Sequence, residues 1–377
     1  MKTHYHIIIA GAGGIAEAAA LMLAELSDLT PDIYVGNRNI QKADKLVQWV
    51  QAGTTRPCTI QAFHLTEDVN PDMEQILRKG DILLDCLPGH LAPKMAALAK
   101  KFQLHYANLT EYVSETEEII ALAKDIKTGF LLQTGLAPGY INVLGHQLFR
   151  QFCLDFDVAK ADKLEMKVGA LTRHAVAPHY YGFTWSPVGV ATEYVKDALG
   201  IREFKKTGLP ALTERSAILI DGITYEEALT SGGAADLPDA LANKVKSLDY
   251  KTLRHPGHYA WIEEQIKKGE QETDPVVALQ RKMEAAIPHI EDDLIVLYAS
   301  VEGHDAAGIL RRREIAKRIY PQKIGKHQLR AIQTTTAAPL LQAAQILLDG
   351  ESKGIILQSA VDPDLFLNGN YIKAVYG

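Results

Sequence analysis

The segment Gly11-Ala12-Gly13-Gly14-Ile15-Ala16 constrains this chain more than any other, because it stands between a short apolar run, Tyr5 to Ala10, and a stretch of helix formers, Ile15 to Leu26. Its form is G-x-G-x-x-A in a strand, turn, helix context. Each small residue has a physical task. The first glycine makes the tight turn, the second lets backbone amides approach a pyrophosphate, and the third small residue lets the helix lie close on the strand. Gly11, Ala12, Gly13, Gly14 and Ile15 are therefore expected to line a dinucleotide site.

The next hundred residues keep the same alternation. Ile33-Tyr34-Val35 reads as a second strand, Gln41 to Val50 as a helix, Thr59 to Phe63 as a third strand and Ile82 to Leu87 as a fourth. The helix Ala92 to Phe102, the strand His105 to Leu109, the helix Ser114 to Asp125 and the strand Gly129 to Gln133 continue it, with Ser114 and Glu117 at capping-box spacing. Strands separated by helices pair in parallel, since a parallel connection needs a crossover. The expected class is α/β, a doubly wound parallel sheet of the Rossmann kind.

The residue that reads the adenosine ribose should come about 20 positions past the motif, at the end of the second strand. Asn37 and Arg38 stand there. An acidic side chain would accept the ribose hydroxyls of NAD and repel the extra phosphate of NADP; Asn37 is neutral, and Arg38 can pair with a 2′-phosphate. NADP(H) is the expected preference, with NAD(H) usable. Ligands in open parallel sheets bind beyond the carboxyl ends of the strands. Asp85-Cys86-Leu87-Pro88-Gly89-His90 and Asn108-Leu109-Thr110-Glu111-Tyr112 occupy those places after the fourth and fifth strands. Cys86, Leu87, Pro88 and Asn108 are expected to line the cofactor, and Glu111 and Tyr112 to approach the nicotinamide. Cys86 fits a small packing residue better than a nucleophile.

From about Asp157 the texture changes. Leu164, Met166, Val168 and Ala170 alternate with Lys163, Glu165, Lys167 and Gly169, the pattern of a strand with one buried and one wet face, and an antiparallel sheet is expected. Asp221-Gly222 between Ile218-Leu219-Ile220 and Ile223-Thr224-Tyr225 signals a hairpin, because a type I′ turn needs positive φ at both central residues. Leu248 to Arg254 and Leu294 to Val301 add strands, and Tyr259 to Lys268 and Val276 to Ile287 add helices. This part reads as α+β. Arg311-Arg312-Arg313 fits a strand or a helix equally and is expected to be a solvated face. A helix from Thr334 to Leu348, ending at Gly350, and a strand at Ile355-Ile356-Leu357 suggest a tail that returns to the first domain. The expected division is 1–155 plus 334–377 for the dinucleotide domain, with 156–333 inserted between them.

Composition excludes other classes. A chain of 377 residues with 47% hydrophobic and 23% charged residues is neither disordered nor fibrous. Forty basic against 46 acidic residues, a formal net of −6, give no electrostatic reason to bind nucleic acid or an anionic membrane. Cys58, Cys86 and Cys153 stand far apart with no metal-ligand spacing, none of the 13 histidines has a spacing that argues for a metal, and a reduced, cytoplasmic setting is expected. Glycines and Glu17 interrupt the apolar start, so it is read as neither signal peptide nor membrane span.

Four stretches then carry a resemblance: Tyr112-Val113-Ser114; Gly135-Leu136-Ala137-Pro138-Gly139 with Asn142; Gly182-Phe183-Thr184-Trp185-Ser186-Pro187 with Gly189; and Thr252-Leu253-Arg254 followed by Gly257-His258. With them the chain resembles the saccharopine dehydrogenase family, which includes glutamate-forming saccharopine reductases, lysine 6-dehydrogenases and carboxynorspermidine-type enzymes. The resemblance implies a Rossmann domain, an inserted substrate and dimerisation domain on a mixed sheet, and a homodimer. It also implies hydride transfer between nicotinamide C4 and a carbon bearing nitrogen in an amino acid derivative. Arg254 matches the family's substrate-domain arginine and is expected to bind a carboxylate, with Tyr250 on the same strand face and Trp185 shaping the pocket. Tyr112 matches the position near the nicotinamide and is the expected proton relay, while His174, His179 and His258 are alternatives on chemistry alone. Two departures stand out. The saccharopine reductases carry aspartate where this chain has Ala137 and tend to carry arginine where it has Val188, which implies a substrate with fewer carboxylates than saccharopine. Another Rossmann amino acid dehydrogenase and a non-catalytic dinucleotide sensor remain as alternative readings.

Overall fold

The computed structural model of the protein describes residues 4–28, 31–269, 271–350 and 352–377. They divide into two compact units, Met1–Tyr140 with Gln322–Leu329 and Gln333–Gly377, and Ile141–Pro321 with Arg330–Ile332.

The first unit is built on β1 (His6–Ala10), α1 (Gly14–Leu26), β2 (Asp32–Asn37), α2 (Ile40–Gly53), β3 (Thr59–His64), α3 (Pro71–Lys79), β4 (Ile82–Asp85), α4 (Ala92–Phe102), β5 (His105–Asn108), α5 (Val113–Leu122) and β6 (Gly129–Leu131). The strand order from the far edge is β3-β2-β1-β4-β5-β6, every pair parallel, so the crossover helices lie on the two faces and the order reverses between β1 and β4. That reversal opens a crevice beyond the carboxyl ends of the strands. Ile7, Ile8 and Ile9 are buried in the central strand, and the buried alanines Ala16, Ala18, Ala19 and Ala20 let α1 lie close beside it. Helix α3 is absent from the sequence expectation because only Met73 and Leu77 of its nine residues are buried, too thin a stripe to read. It is set instead by its cap, Asn70, whose side chain accepts from Met73 N at 2.9 Å, and by Pro71 at its first position.

The capping box expected at Ser114 and Glu117 does not form. Helix α5 begins one residue earlier, with Tyr112 as its N-cap, so Ser114 sits inside the first turn and its hydroxyl donates to Glu115. Thr116 Oγ1 donates to the Tyr112 carbonyl at 2.8 Å and fixes that end of the helix.

The second unit takes up α6 (Tyr140–Phe156) from Ile141 onward, then β7 (Ala161–Thr172), α7 (Pro187–Val195), β8 (Ala198–Arg202), β9 (Lys205–Leu209), β10 (Ser216–Ile220), β11 (Ile223–Leu229), α8 (Leu237–Ala240), β12 (Val245–Arg254), α9 (His258–Lys267), α10 (Pro275–Ala286), β13 (Asp293–His304) and β14 (Leu310–Ile319). Helix α6 goes with this unit, unlike the boundary expected at 155, because Asn142 Nδ2 donates to the Gly233 carbonyl at 2.9 Å and Gly145 lies against Met166. The sheet is mixed, not antiparallel throughout: β7 pairs antiparallel with β13 but parallel with β12. Asp221 and Gly222 both take positive φ, and the β10–β11 hairpin closes on them.

The face of β7 expected to be wet is covered. Glu165 and Lys167 are buried, at 7% and 3% exposure. Burial is tolerated there because the charges match along β7 and across strands: Glu165 receives Lys163 and Lys167 of its own strand at 2.9 and 3.0 Å, and Glu227 of β11 receives Lys167 of β7 and Lys251 of β12 at 2.5 and 3.2 Å. Burial alone would raise the Glu165 carboxyl, but the two lysines hold it down at about 2. The alternation of charged and apolar residues thus marks an ionic network along β7 and onto β11 and β12. Arg311, Arg312 and Arg313 lie in β14 and pair with Asp305, with Glu302 and Glu314, and with Asp155.

The chain then returns to the first unit through β15 (Gln322–Ile324) and β16 (His327–Leu329), α11 (Ala331–Asp349), β17 (Gly354–Ile356), α12 (Pro363–Leu367) and α13 (Asn370–Tyr376). Strand β17 pairs parallel with β6 and becomes the seventh strand of the parallel sheet. Tyr376 stacks on Tyr140 at 3.7 Å between ring centroids, and its hydroxyl donates to the Thr335 carbonyl at 2.5 Å. No helix among the described residues is long and apolar enough to cross a membrane.

Candidate functional site

In the first unit the loops at the carboxyl ends of β1, β4 and β5 form one continuous edge. Gly11 has φ +118°, a conformation glycine adopts without strain, and a Cβ there would stand 3.0 Å from the Cys86 carbonyl oxygen. The glycine turn and the β4 loop therefore touch backbone to backbone. Gly89 continues the edge: a Cβ there would meet Thr110 Oγ1 at 2.5 Å and the Tyr112 ring at 2.8 Å. Asn108 closes it, accepting from Gln133 N through Oδ1 at 2.8 Å and from Thr134 through its carbonyl. Its buried Nδ2 has no acceptor among the described residues, a donor left over at the carboxyl end of β5.

The turn fits a dinucleotide. Gly13, the N-cap of α1, has no side chain to cap the helix, and a Cβ built on it would meet nothing within 4 Å. A helix start without a side-chain cap is a place where an anionic group such as a pyrophosphate can satisfy the first N–H groups. Ala12, Gly14 and Ile15 surround the turn, Ala12 and Ile15 half-buried, and the Gly14 carbonyl is held from behind by Gln333 Nε2 at 2.9 Å.

Asn37 ends β2, and its Oδ1 accepts from Asn39 N at 2.9 Å, which turns the chain. Arg38 is exposed, with its carbonyl 2.9 Å from His64 Nε2. The first turn of α2 carries no acidic residue. Arg38, Asn37 and the start of α2, which has no side-chain cap, are thus neighbours in sequence at the end of β2, residue types that suit a phosphate monoester.

Leu87 is half-buried and Pro88 exposed in the β4 loop. Asp85, at 3% exposure, anchors that loop by accepting from Leu87 N at 3.0 Å and from the Tyr106 hydroxyl at 2.8 Å; burial nevertheless lifts its carboxyl to about 6. Burial and then Asp85 push the Cys86 thiol up, so it stays protonated and suits packing. Burial lifts the Glu111 carboxyl to about 6, next in sequence to the Tyr112 ring that lies over Gly89.

In the second unit Arg254, at the end of β12, is the centre of a polar cage inside an aromatic cluster. It is 1% exposed. Its Nε donates to the Tyr194 hydroxyl at 2.5 Å and its Nη1 to the Leu253 carbonyl at 2.9 Å, while Nη2 faces Glu193 at 3.9 Å. Tyr181 and Tyr194 lie with their ring centroids 4.8 and 5.5 Å from the guanidinium carbon, so the cation is held by π faces as well as hydrogen bonds. Tyr250, four residues along the same strand face, is buried beside Gly233 and raised in pKa by burial and then Glu193. Trp185 packs against Gly189 on α7 and borders the same cluster. The three substrate residues expected from sequence thus lie together. Glu193 carries no sequence signal, and Tyr181 and Tyr194 are distinguishable only once the fold brings them to Arg254.

The histidines separate clearly. His258 is fully buried, its Nδ1 2.7 Å from the His179 carbonyl and its Nε2 3.0 Å from the Tyr194 hydroxyl. The carbonyl can only accept, so Nδ1 carries the proton and Nε2 accepts from Tyr194. Burial and the nearby Arg254 push His258 down to about 3. It is a neutral strut, not an acid or base at neutral pH. His174 is exposed beside Asp292.

Known proteins share this fold. The family model described as the saccharopine dehydrogenase NADP binding domain matches residues 7–131, and that described as the saccharopine dehydrogenase C-terminal domain matches residues 135–369. Among solved structures, the chain is similar to the apo saccharopine dehydrogenase (L-Glu forming) of Saccharomyces cerevisiae, with 14% identity, a TM-score of 0.74, and 99% of this chain and 98% of that chain covered. It is also similar to the homospermidine synthase of Legionella pneumophila, solved in complex with NAD, with 14% identity, a TM-score of 0.69, and 99% and 90% of the two chains covered. At such identity these two likenesses concern the fold.

Proposed function

The chain belongs to the saccharopine dehydrogenase family, a family of nicotinamide-dependent oxidoreductases, and from that premise we propose that it is an NADP(H)-dependent enzyme acting on a carbon bearing nitrogen in an amino acid derivative. The observation that carries the reading is the uncapped start of α1 behind the open Gly13, at the point where the strand order reverses.

The cofactor supplies or accepts the hydride at C4 of its nicotinamide; the protein supplies placement and one proton. Gly11 to Ile15 hold the pyrophosphate on backbone amides, and Arg38 with Asn37 holds the 2′-phosphate that favours NADP(H) over NAD(H). Cys86, Leu87, Pro88 and Asn108 line the nicotinamide half, with the unsatisfied amide of Asn108 as its polar contact. Tyr112 relays the proton. In the second unit Arg254, preset by Tyr194 and Leu253, offers Nη2 to a substrate carboxylate, with Tyr250 and Trp185 setting the walls. Ala137 and Val188 leave no second carboxylate partner, so the substrate has fewer carboxylates than saccharopine. The enzyme acts in the cytoplasm as a homodimer on a small molecule, with no nucleic acid or membrane partner.

The test is cofactor consumption with a panel of ω-aldehyde amino acids and amines, with products identified by mass. Reductive coupling with NADPH supports the proposal. Turnover without carbon–nitrogen chemistry points to another Rossmann amino acid dehydrogenase, binding without turnover to a sensor, and robust turnover of saccharopine itself overturns the carboxylate argument.

A further inference from the structure

At the end of the parallel sheet opposite the glycine turn, three side chains that no part of the proposed reaction uses come together. His4 and His6 are two residues apart at the start of β1, so they project to one face, while Tyr5 between them points to the other and donates to the Leu348 carbonyl at 3.2 Å. Asp32 opens β2 and is the register partner of His6. His4 Nε2 stands 3.1 Å and His6 Nδ1 3.3 Å from the same oxygen, Asp32 Oδ2, and all three potential ligand atoms lie within 4.8 Å of one another.

We propose that His4, His6 and Asp32 form a binding site for one zinc ion. Zinc takes imidazole nitrogen and carboxylate oxygen at about 2.0–2.2 Å, so tetrahedral geometry sets neighbouring ligand atoms roughly 3.3 Å apart. Two edges of that tetrahedron are already present at 3.1 and 3.3 Å. The third, between the imidazoles, closes by rotation of the His4 ring, whose side chain is 50% exposed. Two nitrogens and one carboxylate select zinc and its borderline neighbours over magnesium or calcium, which prefer oxygen alone. Part of the support is already fixed: His6 N donates to Asp81 Oδ2 at 2.8 Å, which pins the start of β1. The Tyr34 hydroxyl, 3.4 Å from His6 Nδ1, is a weak neighbour that the metal displaces. Water completes the fourth position on the exposed side. β1 is five residues long, so His6 lies on the order of 16 Å from the glycine turn along the strand, and zinc there ties the start of β1 to β2 and takes no part in hydride transfer.

Sequence spacing does not reveal the site, because His4 and His6 alone make two ligands and the third arrives from a neighbouring strand. The test uses untagged full-length protein, stripped with chelator and titrated with zinc chloride by calorimetry, with stoichiometry read by native mass spectrometry. One zinc per chain is expected, with affinity at least about tenfold weaker in His4→Ala, His6→Ala and Asp32→Asn and unchanged in His304→Ala, which breaks a two-membered pair, His304 Nδ1 with Asp162 at 2.6 Å. NADPH binding should stay unchanged in His4→Ala. That variant removes an exposed side chain and decides the matter if the other two fail to fold. Substoichiometric zinc on the wild-type chain, or wild-type affinity in His4→Ala, overturns the proposal.

Discussion

Arg254 donates from Nε to the hydroxyl of Tyr194 at 2.5 Å in the buried core of the second unit, and this bond sets the direction of a longer chain. Because the Tyr194 oxygen accepts from the guanidinium, its own proton goes to Nε2 of His258, and the Nδ1 proton of His258 goes to the His179 carbonyl. Every donor in this relay has one acceptor. The arginine is held through two of its donors, Nε to Tyr194 and Nη1 to the Leu253 carbonyl, with Nη2 directed toward Glu193.

Removing the Tyr194 hydroxyl strands two buried groups at once. Tyr194→Phe leaves Arg254 Nε without its acceptor and His258 Nε2 without its donor, and each unsatisfied group costs about 1–3 kcal/mol. The variant should lose on the order of 3 kcal/mol in denaturant unfolding; a loss under about 0.5 kcal/mol would show that the hydroxyl is not holding the relay.

The same relay predicts a pH dependence with a definite sign. His258 titrates at about 3 in the folded chain, below the ordinary histidine value, so under acid the unfolded chain binds more protons. Its contribution to stability is complete above pH about 6.5 and falls by up to about 1.4 kcal/mol per pH unit below that, until the folded pKa is reached. Asp85 and Glu111, both raised to about 6, act in the opposite sense between their ordinary values and that pH. They are common to wild type and His258→Gln, so the difference between the two stability profiles from about pH 6.5 to about 4.5 isolates the histidine. Parallel profiles would exclude it.

Two glycines of the turn should fail in different ways. Gly13→Ala adds a methyl into open space, so the fold keeps its thermal midpoint while the methyl occupies the approach of the pyrophosphate and NADPH affinity falls at least about tenfold. Gly11→Ala forces an L side chain to φ +118° against the Cys86 backbone and should destabilise the unit by about 1–3 kcal/mol. Thermal unfolding with and without NADPH reads both effects. Equal behaviour of the two variants would mean that the turn is only structural.

Arg38→Ala tests the cofactor preference separately. A charge-assisted pair with phosphate contributes about 1.5–3 kcal/mol, so NADPH affinity should drop roughly 10- to 150-fold while NADH affinity changes little. Asn37→Asp should move the preference the same way by adding a charge that repels the phosphate. Equal loss for both cofactors would remove Arg38 from the phosphate.

The parallel sheet and its glycine turn are legible in the sequence because local signals suffice: apolar strands, small residues at fixed offsets, and crossover helices. Helix α3 is not, since its stripe of two buried residues falls below what periodicity can register. The buried face of β7 escapes for a different reason. Glu165 and Lys167 look solvated in sequence, and their burial is tolerable only because Lys167 pairs with both Glu165 and, on β11, Glu227, which also receives Lys251 of β12. At the second cluster, Arg254 can be singled out from its motif, but Tyr194 and Glu193 lie about 60 residues earlier and join it only through the fold. Contacts of that range leave no local trace.

Proton handling separates Tyr112 from Glu111. Glu111 sits one residue before Tyr112, and its carboxyl, lifted by burial to about 6, changes charge within the working pH range. The Tyr112 ring lies over Gly89, in the loop that follows β4. A positioned acid or base contributes about 10²–10⁴ to rate, so Tyr112→Phe should lower kcat at least tenfold with the substrate found in the panel, leaving NADPH affinity intact. Glu111→Gln should instead remove a limb near pH 6 from the kcat/KM profile, since that profile reports groups of the free enzyme. If Tyr112→Phe leaves kcat and its pH profile unchanged while Glu111→Gln lowers kcat, the relay belongs to the carboxyl and the tyrosine ring is only the wall against which the nicotinamide rests.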